Sequence, residues 1–302
     1  MPSHTPARQT VSVKPIGLSS PGRDVDLHLR VTAPREGRDL PVIVFSHGNA
    51  WSMDGYGPLV DRWAAAGFLV VQPTHPDSRR IGITPGDPRF ATIWRLRIND
   101  LHAVLDHLPD VLADAGAQDR ADLGRIALVG HSWGAQTVGA LLGARVRDAA
   151  GVPGEDFSHP APAAGVLITA PGTGETLTSF AAEHLPFMRP DFSTMETPAL
   201  VVAGGRDHSQ LSTRGPDWFT DAYHRSPSPK ALLTLAEAEH TMGGIAGEAV
   251  AETSDENPAR VAFLADTVTA YLQASLGVDG SAWAALGRNG TGEGGGWEIV
   301  SK

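Results

Sequence analysis

A serine set between glycines is the first feature of the chain that could do chemistry. Gly130-His131-Ser132-Trp133-Gly134 follows the apolar run RIALV and precedes small residues at helical spacing. A hydroxyl is a weak nucleophile until a base removes its proton. It must also stand clear of neighbouring side chains to reach a carbonyl carbon. A tight strand-to-helix turn provides that clearance, with glycines two residues to either side giving the backbone room. The same turn points backbone N–H groups at a helix N-terminus, where negative charge is favoured. Acyl transfer generates an oxyanion, which preorganised N–H donors stabilise. Ser132 is therefore the expected nucleophile, and the Trp133 N–H one oxyanion donor. The other reading of the pentapeptide is a Gly-bounded turn whose serine only caps the helix.

The remaining catalytic groups are sought in loops after other strands. VIVFSHGNAWSMDGY (42–56) runs from a buried strand into His47-Gly48, and the Asn49 N–H is the expected second oxyanion donor. His47 itself reads as a structural histidine that bonds the loop. Of 12 histidines, His240 is the expected base, because it ends the strand pattern ALLTLAEAEH. His184, His208 and His224 fall in an irregular stretch, beside the candidate acid and in a helical pattern respectively. Asp207, at the end of PALVVAGGRD, is the expected acid that orients the imidazole, giving the chain order Ser, Asp, His. Glu175, after the preceding strand, is the alternative acid, and a turn aspartate closing its own loop is the alternative role for Asp207.

Residues so far apart in sequence need a scaffold. Short apolar runs at 40–48, 67–75, 125–132, 163–172, 198–207 and 230–240 suit strands buried on both faces of a parallel sheet, and 25–34 alternates like a half-exposed antiparallel strand. Helical patterns separate them. In 89–108, Ile93, Leu96, Leu101, Val104, Leu105 and Leu108 share a face, with Pro109 as a stop signal, and 260–276 forms a second amphipathic helix. The alternation predicts an α/β fold: a mostly parallel, doubly wound sheet with helices on both faces, whose strand ends carry the site. The expected division is an N-terminal extension (1–24), one domain (25–276) and a mobile Gly-rich tail (277–302). Residues 171–197 break the alternation and read as a lid or substrate-facing insertion, or as a long crossover. Trp51, Tyr56, Phe187, Met188, Trp218 and Met242, together with Trp133, are the expected pocket residues, suited to an apolar or aromatic ester.

Composition excludes other chemistry. The 302 residues carry a net charge of −10 and no Lys/Arg cluster, which argues against a nucleic-acid partner. Apolar residues make up 41%, enough for a full core. The absence of cysteine removes disulfides, thiol nucleophiles and thiolate metal sites. No metal-site or dinucleotide-binding motif is found, so neither metal nor cofactor is expected; His75 and Asp77 in PTHPDS read as a loop-ordering pair. No stretch is apolar enough to span a bilayer, and no signal-peptide core opens the chain. A cytoplasmic location is expected, or a secreted one if a leader has been removed.

Taken together, FSHGNA, VVQPTHPDS, GHSWGAQT, VVAGGRDH and AEHTMGG resemble the α/β-hydrolase superfamily from about residue 25 to 276. The chain is most similar to bacterial esterases related to dienelactone hydrolases, chlorophyllases, polyester hydrolases and platelet-activating-factor acetylhydrolases. The resemblance implies a serine carboxylic-ester hydrolase that works through an acyl-enzyme, polyesters among its substrates. Chlorophyllase-like and acetylhydrolase-like members often place the acid after the earlier strand, where this chain offers only Glu175. Dienelactone hydrolases use a cysteine nucleophile, and secreted polyester hydrolases usually carry a leader and a disulfide; this sequence has neither a cysteine nor a visible leader. An acyltransferase or thioesterase would use the same triad. A non-catalytic ligand-binding relative would have lost part of it.

Overall fold

Consecutive residues Val42, Ile43, Val44 and Phe45 are all fully buried, yet they serve two different cores. Val42 and Val44 pack in one apolar layer, Ile43 and Phe45 in the other, as the two-residue period of a strand requires when both faces are covered. Ile126 and Leu128 against Ala127 and Val129 repeat the division. This explains why these strands read as continuous apolar runs rather than alternating ones.

The computed structural model describes residues 8–84, 86–247 and 254–302. Its strands are β1 (Thr10–Leu18), β2 (Leu27–Pro34), β3 (Leu40–Ser46), β4 (Leu69–Pro73), β5 (Ala121–His131), β6 (Arg145–Val146), β7 (Pro162–Ile168), β8 (Pro190–Asp191), β9 (Ala199–Gly204), β10 (Lys230–Leu235) and β11 (Trp297–Ser301). Nine of them form one sheet in the order β1-β2-β4-β3-β5-β7-β9-β10-β11. Pairing is parallel from β4 through β10 and antiparallel at both margins. The helices are α1 (Gly57–Ala65), α2 (Ile93–Asp106), α3 (Leu108–Asp114), α4 (Trp133–Leu141), α5 (Ser179–His184), α6 (Asp221–Arg225), α7 (Pro258–Ser275) and α8 (Ser281–Asn289). Helices α1 and α7 pack on one face of the sheet, α2, α3, α4 and α6 on the other. The doubly wound α/β arrangement expected from the alternation is present.

The sheet reaches beyond the expected limits of 25 and 276. Residues 10–18 of the expected extension form β1, which pairs with β2 and buries Ile16; residues 1–7 lie outside the described residues. At the other margin, the expected mobile tail returns as α8 and β11. Strand β11 pairs with β10 and buries Ile299, which single-sequence patterning hides because five residues with one inward apolar side chain resemble a loop. Helix α2 ends at Asp106, before Pro109, and the proline sits in the first turn of the next helix, α3, where its missing N–H costs nothing. On α2, Leu96 is half-buried whereas Arg97 is fully enclosed. The stretch 171–197 contains α5 and β8, which pairs with β6. Among the described residues no helix is long and apolar enough to cross a membrane.

If β11 belongs to the cooperative fold, Ile299→Ala is expected to destabilise the protein by about 2–4 kcal/mol, the usual cost of emptying a core isoleucine site. A urea melt followed by tryptophan fluorescence checks this; an unchanged midpoint would mean that the tail merely rests on the sheet.

Candidate active site

Parallel strands β3, β5, β9 and β10 all end on the same side of the sheet, and the four expected catalytic loops begin there. Strand β5 passes into α4 through Ser132, whose φ of 54° and ψ of −121° lie outside the regions an L-residue prefers. Such a conformation costs about 1–3 kcal/mol and persists only where surrounding structure imposes it. Here the imposition is steric. A Cβ on Gly134 would overlap the Ser46 carbonyl oxygen, and one on Gly130 would overlap Gly134 O. The turn therefore presses directly on the end of β3, and the Ser132 N–H is tied to Ile168 O at 2.8 Å.

Ser132 Oγ lies 2.9 Å from His240 Nε2, and His240 Nδ1 lies 2.9 and 3.1 Å from the two carboxylate oxygens of Asp207. A carboxylate only accepts, so Nδ1 carries the proton and Nε2 presents its lone pair to the serine hydroxyl. The Asp207 side chain is fully enclosed, whereas the His240 side chain is 40% exposed. The acid and base loops meet backbone to backbone. Arg206 N–H donates to Ala238 O at 3.0 Å, and a Cβ on Gly204 would collide with that same carbonyl. Glu175 is exposed and faces Arg225 at 3.6 Å, while His240 Nδ1 is taken by Asp207. His184, His208 and His224 are exposed and take no part in the array.

Of the two expected oxyanion donors, Asn49 follows β3 and Trp133 is the first residue of α4. Among the described residues neither N–H donates to a protein acceptor. Beneath this loop lies a polar cluster in which His47, His75 and Asp77 order the loop as expected, around a buried Arg97 that the sequence reading did not foresee. The buried Arg97 guanidinium donates to Asp77 Oδ1 (2.6 Å), Thr137 Oγ1 (3.1 Å), Ser46 Oγ (3.4 Å) and the His47 carbonyl. It also stacks over Trp133, 5.0 Å from the ring centroid. Asp77 Oδ2 accepts the Ala50 N–H at 3.0 Å, so the loop is held from both ends. His47 donates through Nδ1 to Gly48 O (2.7 Å) and accepts the His75 N–H at Nε2 (2.9 Å), the structural role expected of it. His75 bonds Ser46 Oγ (3.0 Å) and Asp100 Oδ2 (2.9 Å); Asp100 also accepts from Ser20 and Arg23. Burial raises the Asp100 carboxyl to about 7 despite Arg23, and lowers His47 to about 4, with Arg97 adding to the effect. The available signal was Arg97 itself, spaced four residues from Ile93 and from Leu101 within an apolar stripe.

The expected pocket residues separate into three groups. Tyr56, Trp218 and Met242 are enclosed and do not line a cleft. Tyr56 Oη bonds His131 Nδ1 at 2.8 Å, Trp218 Nε1 donates to Thr173 O at 3.0 Å, and Met242 packs in the α1/α7 core. Phe187 and Met188 join Trp133, Phe90, Ile93 and Ile83 in a third apolar cluster. Phe187 stacks on Trp133 at 5.4 Å, which anchors the 171–197 stretch to the nucleophile helix. Trp51 alone is partly exposed, in the turn after Asn49. The first group departs from the expectation because a large apolar side chain in a loop can turn inward and join the core.

Among the described residues, one group with metal-ligand chemistry lies elsewhere. His102, Asp106 and His159 bring donor atoms within 4.8 Å of one another. Ala161 N–H donates to His159 Nδ1 (3.1 Å), so Nε2 carries the proton and faces Asp106 Oδ1 (3.1 Å), while His102 Nε2 bonds Phe157 O (3.0 Å). A metal at His159 Nε2 would need the proton moved to Nδ1, against the Ala161 N–H. Each histidine of the group is already bonded to a protein partner.

Residues 5–149 match the sequence model of the chlorophyllase family. The match includes Asn49 and Ser132 and ends before Asp207 and His240. No curated protein matches the chain. The family match and the nine-stranded sheet together show an α/β-hydrolase fold and a likeness to ester hydrolases of that type.

Burial and the adjacent His240 hold His131 to about 3, so it is neutral in the folded protein at pH 7 and below. In the unfolded chain a histidine takes up its proton near pH 6.5. The unfolded state therefore binds more protons below that pH. The stability His131 contributes is fully present above pH 6.5 and is lost as pH falls toward 3. Between pH 6 and 4 the slope of stability against pH is expected to be smaller in His131→Gln by about one proton, or about 1.4 kcal/mol per pH unit. Urea midpoints across that range measure it, and equal slopes would mean that His131 is not held neutral.

Proposed function

We propose that this α/β-hydrolase is a serine carboxylic-ester hydrolase that works through an acyl-enzyme. The observation that carries the reading is the unbroken array from Asp207 through His240 to Ser132, with each step at hydrogen-bond distance. As Ser132 Oγ attacks the ester carbonyl carbon, its proton passes to His240 Nε2, and Asp207 stabilises the imidazolium. The carbonyl oxygen takes up the electron pair and is met by the N–H groups of Asn49 and Trp133. Collapse of the tetrahedral species breaks the C–O bond, and His240 gives its proton to the departing alcohol. Water then enters, loses a proton to His240, and attacks the acyl carbon. Ser132 regains its proton and the carboxylic acid leaves.

An apolar or aromatic ester fits the surroundings best. Trp133 carries the apolar cluster of Phe90, Phe187 and Met188, and Trp51 borders the oxyanion loop. The 171–197 stretch, anchored through Phe187, reads as a substrate-facing wall. Phe180 on α5 is 60% exposed and extends its apolar surface outward.

The test is hydrolysis of p-nitrophenyl esters from acetate to palmitate, with thioesters and added alcohols as competing acceptors. Ser132→Ala is expected to abolish turnover, and Asp207→Asn to lower kcat by about 10³–10⁴-fold through the wrong imidazole tautomer. Glu175→Gln should remain within about twofold of wild type, as for other exposed sites away from the reacting groups. Turnover that survives Ser132→Ala, or that Glu175→Gln abolishes, contradicts the assignment. A preference for alcohol over water as acceptor would make the protein an acyltransferase.

A further inference from the structure

A second buried chain of hydrogen bonds runs behind the triad, and it connects the two halves of the site. Gly48 N–H lies 3.0 Å from Tyr56 Oη, Tyr56 Oη lies 2.8 Å from His131 Nδ1, and His131 Nε2 lies 3.0 Å from the carbonyl oxygen of His240. Gly48 precedes the oxyanion donor Asn49; His240 is the base; His131 precedes the nucleophile. Tyr56 is fully enclosed and His131 nearly so, with 4% of its surface exposed.

The direction of every bond follows from elementary chemistry. The His240 carbonyl can only accept, so His131 Nε2 carries a hydrogen. A neutral imidazole has one such hydrogen, so Nδ1 accepts. The Tyr56 hydroxyl must then donate to Nδ1, which leaves its lone pairs for the Gly48 N–H. Reversing any link would leave an unpaired polar group in the interior, at a cost of about 1–3 kcal/mol.

Other contacts hold the two side chains in place. Tyr56 has φ of 65°, and its backbone N–H donates to Ala246 O at 3.0 Å, in the segment that follows His240. Its ring packs on Phe45 at 4.7 Å and on His131 at 5.6 Å. A Cβ on Gly48 would lie 3.0 Å from both Tyr56 Oη and His131 Nδ1, so any larger residue there would press on both side chains of the chain. Neither Tyr56 nor His131 touches the place where an ester would react.

We propose that Tyr56 and His131 are positioning residues that set the oxyanion donors and the general base relative to each other. The inference rests on the hydrolase reading above and deepens it. Misplacing a catalytic group by about 1 Å can cost about 100-fold in rate without loss of binding. Removing the Tyr56 hydroxyl should therefore lower kcat and leave KM nearly unchanged.

The test compares wild type, Ser132→Ala, Tyr56→Phe, His131→Gln and His131→Ala, each first shown to be folded by its thermal melt. Two quantities are read: kcat and KM on p-nitrophenyl butyrate, and the rate at which a fluorophosphonate labels Ser132, which does not depend on guessing the substrate. Tyr56→Phe and His131→Ala are expected to lose about 10–100-fold in kcat and in labelling rate, with KM within about threefold. His131→Gln should recover part of the loss, because its amide N–H can reach the His240 carbonyl. If wild type labels at Ser132 while Tyr56→Phe and His131→Ala label equally fast and keep kcat, the positioning role is overturned and the hydrolase reading stands. A loss confined to KM overturns it as well. If wild type neither labels nor turns over, the hydrolase reading falls and this inference falls with it. Should Tyr56→Phe fail to fold, the contrast between His131→Gln and His131→Ala decides the matter.

Discussion

The site depends on backbone approaching backbone with no side chain between. The nucleophile turn rests on the Ser46 carbonyl, at a distance that only Gly134 permits, and the acid loop rests on the Ala238 carbonyl beside Gly204. These contacts draw the ends of β3, β5, β9 and β10 close enough for Ser132, His240 and Asp207 to meet. They also force strain. Of the six non-glycine residues with positive φ among the described ones, Ala50, Tyr56, Ser132, Thr169 and Met242 lie in segments that follow the strand ends around the site. Each costs about 1–3 kcal/mol, so the fold must over-determine them.

Buried polar bonding provides that determination. Arg97 fastens the His47 carbonyl and, through Asp77, the Ala50 N–H, so Asn49 is carried on a loop fixed at both ends. A buried ion pair adds little net stability over an apolar pair, but losing one partner costs about 3–5 kcal/mol. The cluster therefore contributes geometry more than stability. On the other side of the site, the directional chain from Gly48 to the His240 carbonyl fixes the base loop against the donor loop. The two networks use neutral histidines because burial makes a charged imidazole expensive there.

Much of this was legible in the sequence. The apolar runs gave the parallel strands because residues such as Val42 to Phe45 serve cores on both faces. Ser132, Asp207 and His240 could be chosen because each ends a strand pattern on the same side of a doubly wound sheet. The marginal strands β1 and β11 were not legible, since an edge strand with one inward residue, Ile16 or Ile299, carries almost no periodic signal. The pocket reading failed at Tyr56, Trp218 and Met242 because residue type does not tell a loop side chain that turns inward from one that lines a cleft. Arg97 was visible as a charge within an apolar stripe, but its partners Asp77 and Thr137 become neighbours only through the fold. The likeness to chlorophyllases covers Asn49 and Ser132. The roles proposed for Asp207 and His240 rest on geometry alone.

The central claim is that Ser132 forms a covalent acyl intermediate. Rapid mixing with an ester that deacylates slowly, followed by acid quench, intact-mass measurement and peptide mapping, tests it directly. The account predicts a burst of alcohol product equal to the enzyme present, and an acyl mass increment on the peptide that contains Ser132. Steady turnover with no adduct, or an adduct on any other residue, would contradict it.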